Sequence, residues 1–202
     1  APGGGIGAAV VDILLLSLFG LQHSVMARSG FKAWWTRIIP APIERSTYVL
    51  ASSLFLGLAM WLWQPIDGIV WQVESTTAVY VLYGLFAFGW LLVFVATFLT
   101  DHFDLFGLRQ VYLHLARKTY TQVPFKTVFL YKFMRHPMML GLLISFWSVP
   151  TMTMGHLVFS VVFSLYIWIG IQFEERGLLK ELGKDYAAWH SKTPMIFPIG
   201  RG

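Results

Sequence analysis

Phe133-Met134-Arg135-His136-Pro137-Met138-Met139-Leu140-Gly141 opens a stretch that crosses two apolar segments. It returns as Phe173-Glu174-Glu175-Arg176-Gly177-Leu178-Leu179, then Leu182-Gly183-Lys184-Asp185-Tyr186-Ala187-Ala188-Trp189, and closes at Pro198. Charge stands at both ends of an apolar hairpin. Pro137 has no N–H to lose at a first helical position, so Arg135 and His136 fall just outside a helix mouth whose free N–H groups favour an anion. The residue before a proline is biased to extended geometry, which aims His136 away from the helix. On the return, Glu175, Leu179, Leu182 and Tyr186 recur at helical spacing and are expected on one face, offering an acid, an apolar wall and an aromatic ring together. Each half alone has an ordinary reading: arginines beside a membrane helix meet headgroups, and an amphipathic tail helix lies on a surface.

Working outward, 56% of the 202 residues are hydrophobic and only 12% are charged, against about 25% charged in soluble domains. The expected fold is therefore all-α, a polytopic membrane bundle of about five helices, the last two forming a hairpin with a cytosolic cofactor pocket. It reads as one domain over 1–202, with front helices at 6–126 and a hairpin and tail at 127–202. Cysteine is absent, which excludes disulfides, thiolate metal sites and a cysteine nucleophile. The chain opens on Ala1 rather than Met, from which a missing native N-terminus is expected; no positively charged n-region precedes the first apolar run, so no cleavable signal peptide is evident.

The spans are expected at 6–26, 47–63, 78–100, 138–149 and 156–173. The fourth is short, since 12 residues reach about 18 Å as a helix against a hydrocarbon core of about 30 Å. Gly3-x-Gly5-x-Gly7 looks superficially like a dinucleotide loop, but no strand precedes it and a membrane helix follows. Arg28, Lys32, Arg37 and Arg45 follow the first span, Arg109 to Arg135 follow the third, and Arg176, Lys180, Lys184, Lys192 and Arg201 follow the fifth. The loop from 64 to 77 holds Asp67 and Glu74 and no Lys or Arg, so the positive-inside rule places every basic segment in the cytoplasm. The net charge of +5 accordingly reads as topology, and no nucleic-acid partner is expected. The partners expected are membrane lipid and a small substrate, and the location is the cell inner membrane, multi-pass, with the active site facing the cytoplasm.

Ionisable and polar groups cluster at the cytoplasmic ends: Gln22 and His23, Glu44 and Arg45, Asp101 and His102, Arg135 and His136, Glu174 and Glu175. Such groups are costly in hydrocarbon and are functional candidates by default. Histidines 23, 102, 114, 136 and 190 with Asp101 and Asp104 permit a metal reading, but no His-x-x-x-His and no Cys supports it, and no metal is expected.

Taken together, Arg-His-Pro-x-x-x-Gly, two apolar segments, Glu-Glu-x-x-Leu, the Gly four residues after Leu179, Tyr186 and a proline-punctuated end resemble the isoprenylcysteine carboxyl methyltransferase superfamily. This chain departs from that pattern at Met139 and Leu182, where the family has Tyr and Phe. Leu21 to Arg28, Glu44 to Val49 and Asp101 to Gln110 are similar to its NnrU-like branch. The resemblance implies S-adenosyl-L-methionine as cofactor, wrapped at the cytosolic face, and methylation of a small thiol, methanethiol, to dimethyl sulfide. It implies cofactor contacts at Arg135, His136, Pro137, Gly141, Glu174, Glu175, Leu179 and Tyr186, with Gln22, His23, Arg45, Asp101 and His102 facing the acceptor.

The donor needs a cation for its carboxylate, which Arg135 and the Pro137 helix mouth offer. It also needs an acid for its ammonium, from Glu174 or Glu175, and a ring for adenine, from Tyr186 or Trp189. A thiol reacts as thiolate, so a base is expected: His102 paired with Asp101 or Asp104 first, His23 second, with Tyr48 and Asp104 counted among the acceptor-side residues. Two other classes remain open: an NnrU-type accessory membrane protein of nitrogen-oxide metabolism, and a prenylcysteine or lipid methyltransferase.

Overall fold

The computed structural model describes residues 4–197; Gly3, Pro198 and Arg201 lie outside the described residues. In chain order the helices are α1 (Ile6–Met26), α2 (Ser29–Trp35), α3 (Glu44–Trp61), α4 (Thr76–Thr100), α5 (His102–Leu105), α6 (Leu108–Leu115), α7 (Pro137–Trp147) and α8 (Met154–His190). Two short strands, β1 (Ile69–Gln72) and β2 (Thr151–Thr153), pair antiparallel. The chain divides into two compact units, residues 1–67 with 101–123, and residues 68–100 with 124–202.

Among the described residues, α1, α4 and α8 are long and apolar enough to cross a membrane. The other two expected spans are helices of lesser reach or greasiness. α3 carries Glu44, Arg45, Ser46 and Thr47 in its first turn, and α7 is an apolar helix of 11 residues, about 16 Å long at 1.5 Å per residue.

In the first unit α3 packs beside α1. The buried Asp12 of α1 accepts the backbone N–H of Gln64 through Oδ1 at 2.8 Å, which ties the start of α1 to the chain leaving α3. At the other end Arg45 Nε donates to the Leu105 carbonyl at 2.8 Å. Gly107, at φ +80, lies so close to the Ser46 backbone that any Cβ would collide with it. Glycine is needed there for both space and backbone angle.

In the second unit α4, which the sequence reading groups with the front helices, lies along α7. Gly89 and Gly141 make this approach possible: a Cβ on Gly141 would stand 2.6 Å from the Gly89 carbonyl, and one on Gly89 would stand 2.6 Å from the Gly141 carbonyl and clash with Ser145 Oγ. α7 turns into α8 through β2, and Phe146, Ile167, Ile171 and Ile196 form a buried core there. The β1–β2 ribbon occupies stretches expected as loop and turn. Ile69, Val70 and Trp71 favour an extended backbone, the Trp71 indole donates to the Val149 carbonyl at 3.1 Å, and Met152 is fully buried.

α8 runs 37 residues, joining the expected fifth span to the tail helix. It is interrupted at Gly183, where φ is 62° and ψ −133°. That left-handed step resets the helical phase, so the expected stripe Glu175–Leu179–Leu182–Tyr186 does not run on. Tyr186 is buried, while Leu179 is exposed and Leu182 half-buried.

Candidate active site

Pro137 begins α7 as its first residue, with His136 as the preceding cap at φ −125° and ψ 63°. That non-helical backbone swings the His136 ring off the helix, and its Nε2 lies 3.0 Å from Glu175 Oε1. Arg135 Nε donates to the same oxygen at 2.6 Å and its NH2 group to Oε2 at 3.3 Å, while His190 Nε2 lies 3.1 Å from Oε2. Glu175 thus meets four donors, which fills the acceptor capacity of a carboxylate. Arg135 spends its NH1 group on the His190 and Thr193 carbonyls at 2.8 and 2.7 Å. Below these side chains the backbone N–H groups of Arg135 and His136 donate to the Pro194 and Met195 carbonyls at 2.9 and 3.0 Å. Arg135, His136 and Glu175 are all buried.

Glu174, next along α8, points differently: its side chain is 49% exposed and its Oε2 lies 3.8 Å from His136 Nδ1. Burial, with Glu174 adding to it, pushes the Tyr131 hydroxyl up to about 12, so it remains a neutral donor at physiological pH. Phe125, Tyr186 and Trp189 form a three-ring group with centroids 5.3 to 5.6 Å apart, and the Trp189 indole donates to the Tyr131 carbonyl at 3.0 Å.

Of the residues expected around a cofactor, the structure brings Arg135, His136 and Glu175 into direct contact, with Glu174 beside them. Pro137 is buried as the helix start. Gly141 stands at the α4 crossing, where its lack of a side chain serves packing. His190 and Thr193 belong to the cluster and were missed as site residues. Only the position of His190, four residues after Tyr186, signals it in the sequence.

The first unit holds the other candidates. His23 of α1 faces Tyr48 and Ser52 of α3, and Gln22 lies beside Ser52. The Arg45 guanidinium sits 5.0 Å from the centroid of the Tyr48 ring. Asp101, at φ +92, caps α5 by accepting the Asp104 N–H at 3.0 Å. Asp104 in turn binds Arg109 at 2.9 Å and Tyr120 at 3.3 Å. Both carboxylates expected to pair with His102 are therefore engaged in shaping this loop, and the His102 ring lies against Phe103 and Phe106 at 5.6 and 4.8 Å. Ser52 was also missed; it follows Tyr48 by four residues, one helical turn on.

Long apolar helices and a buried ionic cluster at the mouth of a short one define a helical protein of the membrane-associated class. A Methanethiol S-methyltransferase of Crocosphaera subtropica is 50% identical over 192 residues, covering 95% of this chain and 75% of that protein. Another, from Pseudomonas deceptionensis, is 51% identical over 191 residues, covering 95% and 73%. Nurim of Rattus norvegicus is 32% identical over 176 residues, covering 83% and 66%. The chain belongs to the methanethiol S-methyltransferase family. No protein-family model matches it, and no solved structure does.

Proposed function

We propose that this protein transfers a methyl group from S-adenosyl-L-methionine to methanethiol, releasing dimethyl sulfide, at the cytoplasmic face of the cell inner membrane. The observation that carries this reading, beside the family, is the closed cluster on Glu175 with an exposed acid at its edge.

The residues of the second unit fit such a donor. With Glu175 saturated by Arg135, His136 and His190, the ammonium group falls to Glu174, the acid that remains open. The donor carboxylate is matched by the start of α7, whose first N–H groups lack intrahelical partners, and by the positive charge of Arg135. Phe125 and Trp189 offer aromatic faces to a purine, with Tyr186 buried behind them and Leu179 supplying apolar surface. When bound, the donor supplies an electrophilic methyl group on a sulfonium. The chain's own contribution is to orient it and keep water away, which accounts for much of the barrier reduction in such transfers. Glu175 acts as a positioning residue, since it holds Arg135 and His136 in place.

The cytoplasmic orientation rests on the basic residues, which fall between α1 and the first turn of α3, between α4 and α7, and from the second half of α8 onward. α3 and α7 are proposed to complete a five-span topology. The test is headspace analysis of membranes holding the protein, given methanethiol and methyl-labelled donor. Labelled dimethyl sulfide is the expected product, and its absence in the presence of folded protein overturns the reading.

A further inference from the structure

In the first unit α6 carries two unlike faces. Leu108, Tyr112 and Leu115 fall within about 60° of one another on the helix circumference at about 100° per residue, and they are 52%, 64% and 76% exposed. Arg109 and Gln110 lie on the other side and are held by the protein. Arg109 donates from NH1 to Asp104 Oδ1 at 2.9 Å and to the Thr121 carbonyl at 2.8 Å, and from NH2 to Thr121 Oγ1 at 2.9 Å. Gln110 Nε2 donates to the Asp104 carbonyl at 3.1 Å. Tyr120 completes the clamp: its hydroxyl donates to Asp104 Oδ2 at 3.3 Å, and the Arg109 guanidinium stands 5.3 Å from the centroid of its ring. These bonds fix the rotation of α6 about its own axis, so the apolar stripe cannot turn inward without breaking them.

We propose that α6 is an interfacial helix lying in the plane of the membrane boundary, with Leu108, Tyr112 and Leu115 seated where the headgroups meet the acyl chains. Chain continuity selects a lipid surface as the occupant. α5 begins two residues after α4 ends, and α4 is apolar and long enough to cross a membrane, so the chain enters α5 within about 7 Å of the end of a spanning helix. Composition agrees, since a tyrosine between two leucines presents an apolar body and a polar tip, which suits that depth. Charge agrees as well. α6 contains no acidic residue, Asp104 is paired with Arg109, and the exposed Arg117 and Lys118 follow the last turn, where they meet lipid phosphates. Because Arg109 and Gln110 tie α6 to Asp104, the same contact holds the Asp101–Asp104 turn at headgroup depth. The proposal depends on the membrane setting of the chain and not on the methyl-transfer reading.

The sequence contains no cysteine, so a single introduced thiol is the sole labelling site. Full-chain Tyr112→Cys, Leu115→Cys and His114→Cys, the last at an exposed position off the stripe, are each labelled with a nitroxide. They are reconstituted in vesicles of phosphatidylethanolamine and phosphatidylglycerol. Power-saturation spectroscopy then compares relaxation by oxygen, which dissolves in the bilayer, with relaxation by a neutral nickel chelate, which stays in water. The labels at 112 and 115 are expected to favour oxygen, and the label at 114 to favour the chelate. Adding Arg117→Gln and Lys118→Gln, or replacing phosphatidylglycerol by phosphatidylcholine, shifts the label at 115 toward the chelate. A preference for the chelate at all three positions places α6 in water and overturns the proposal. Labels at 112 and 115 that neither reagent reaches show protein covering the stripe, a second copy or another segment of chain, and overturn it too.

Discussion

Around Glu175 four donors converge on one carboxylate, two of them from a guanidinium, and every oxygen lone pair is claimed. Around His23 two hydroxyls, an imidazole and an amide meet, and the Gln22 carbonyl oxygen is left over. In the first arrangement the carboxylate has no acceptor left for a ligand; it holds the mouth of α7 and the 190–195 segment to α8. The second has an acceptor to offer and carries no formal charge apart from Arg45 at its edge. A saturated ionic cluster locks its neighbours in place, whereas an incomplete neutral one keeps an acceptor open among the described residues.

The largest effect is expected where the ionic cluster is broken. Glu175→Ala leaves the Arg135 guanidinium buried without its counter-ion, at a cost of about 3–5 kcal/mol, and should lower the melting temperature in detergent and abolish calorimetric binding of S-adenosylhomocysteine. A variant as stable as the wild type would erase the distinction between the two clusters.

Gly141→Val is next. The added atoms meet the Gly89 carbonyl and Val93, an overpacking expected to cost about 1–3 kcal/mol in thermal stability. S-adenosylhomocysteine affinity, measured well below the transition, should be retained, which separates a packing glycine from a cofactor-binding one.

Glu174→Gln sharpens the contrast between the paired acids. It should weaken S-adenosylhomocysteine binding about 10-fold, or roughly 1.4 kcal/mol, with the melting temperature unchanged, the reverse of what Glu175→Ala does to stability.

The smallest effect is assigned to His102→Ala. With Asp101 and Asp104 engaged at the α5 turn, turnover of methanethiol should change by about twofold, on the scale of a surface substitution. A loss of about 100-fold, the scale of a general base, would return the base to His102.

Much of this was legible beforehand. The bounds of α1 follow from the apolar run between Gly5 and Ala27, and the start of α7 follows from Pro137. The bias of a residue before proline away from helix agrees with the non-helical backbone of His136, whose ψ of 63° stops short of the extended geometry expected. The phase of the tail was not legible, because one left-handed glycine at 183 alters the direction of every later side chain, and sequence spacing assumes unbroken helix. The work done by Asp101 and Asp104 in their own loop was not legible either. Short acidic residues beside a turn compete for backbone N–H groups, and Asp101 is used as a cap.

Composition and local rules are carried by residue order alone: apolar runs of spanning length, basic segments grouped by topology, a proline at a helix mouth, and a pattern of Arg-His-Pro and Glu-Glu at opposite ends of a hairpin. The folded chain chose who partners whom. It gave Arg135 to Glu175, set His190 and Thr193 behind them, left Glu174 exposed, and placed Ser52 on His23. The reason is that hydrogen bonds act over about 3 Å, so partnership depends on how helices cross and where the chain folds back, which residue spacing along one helix does not encode.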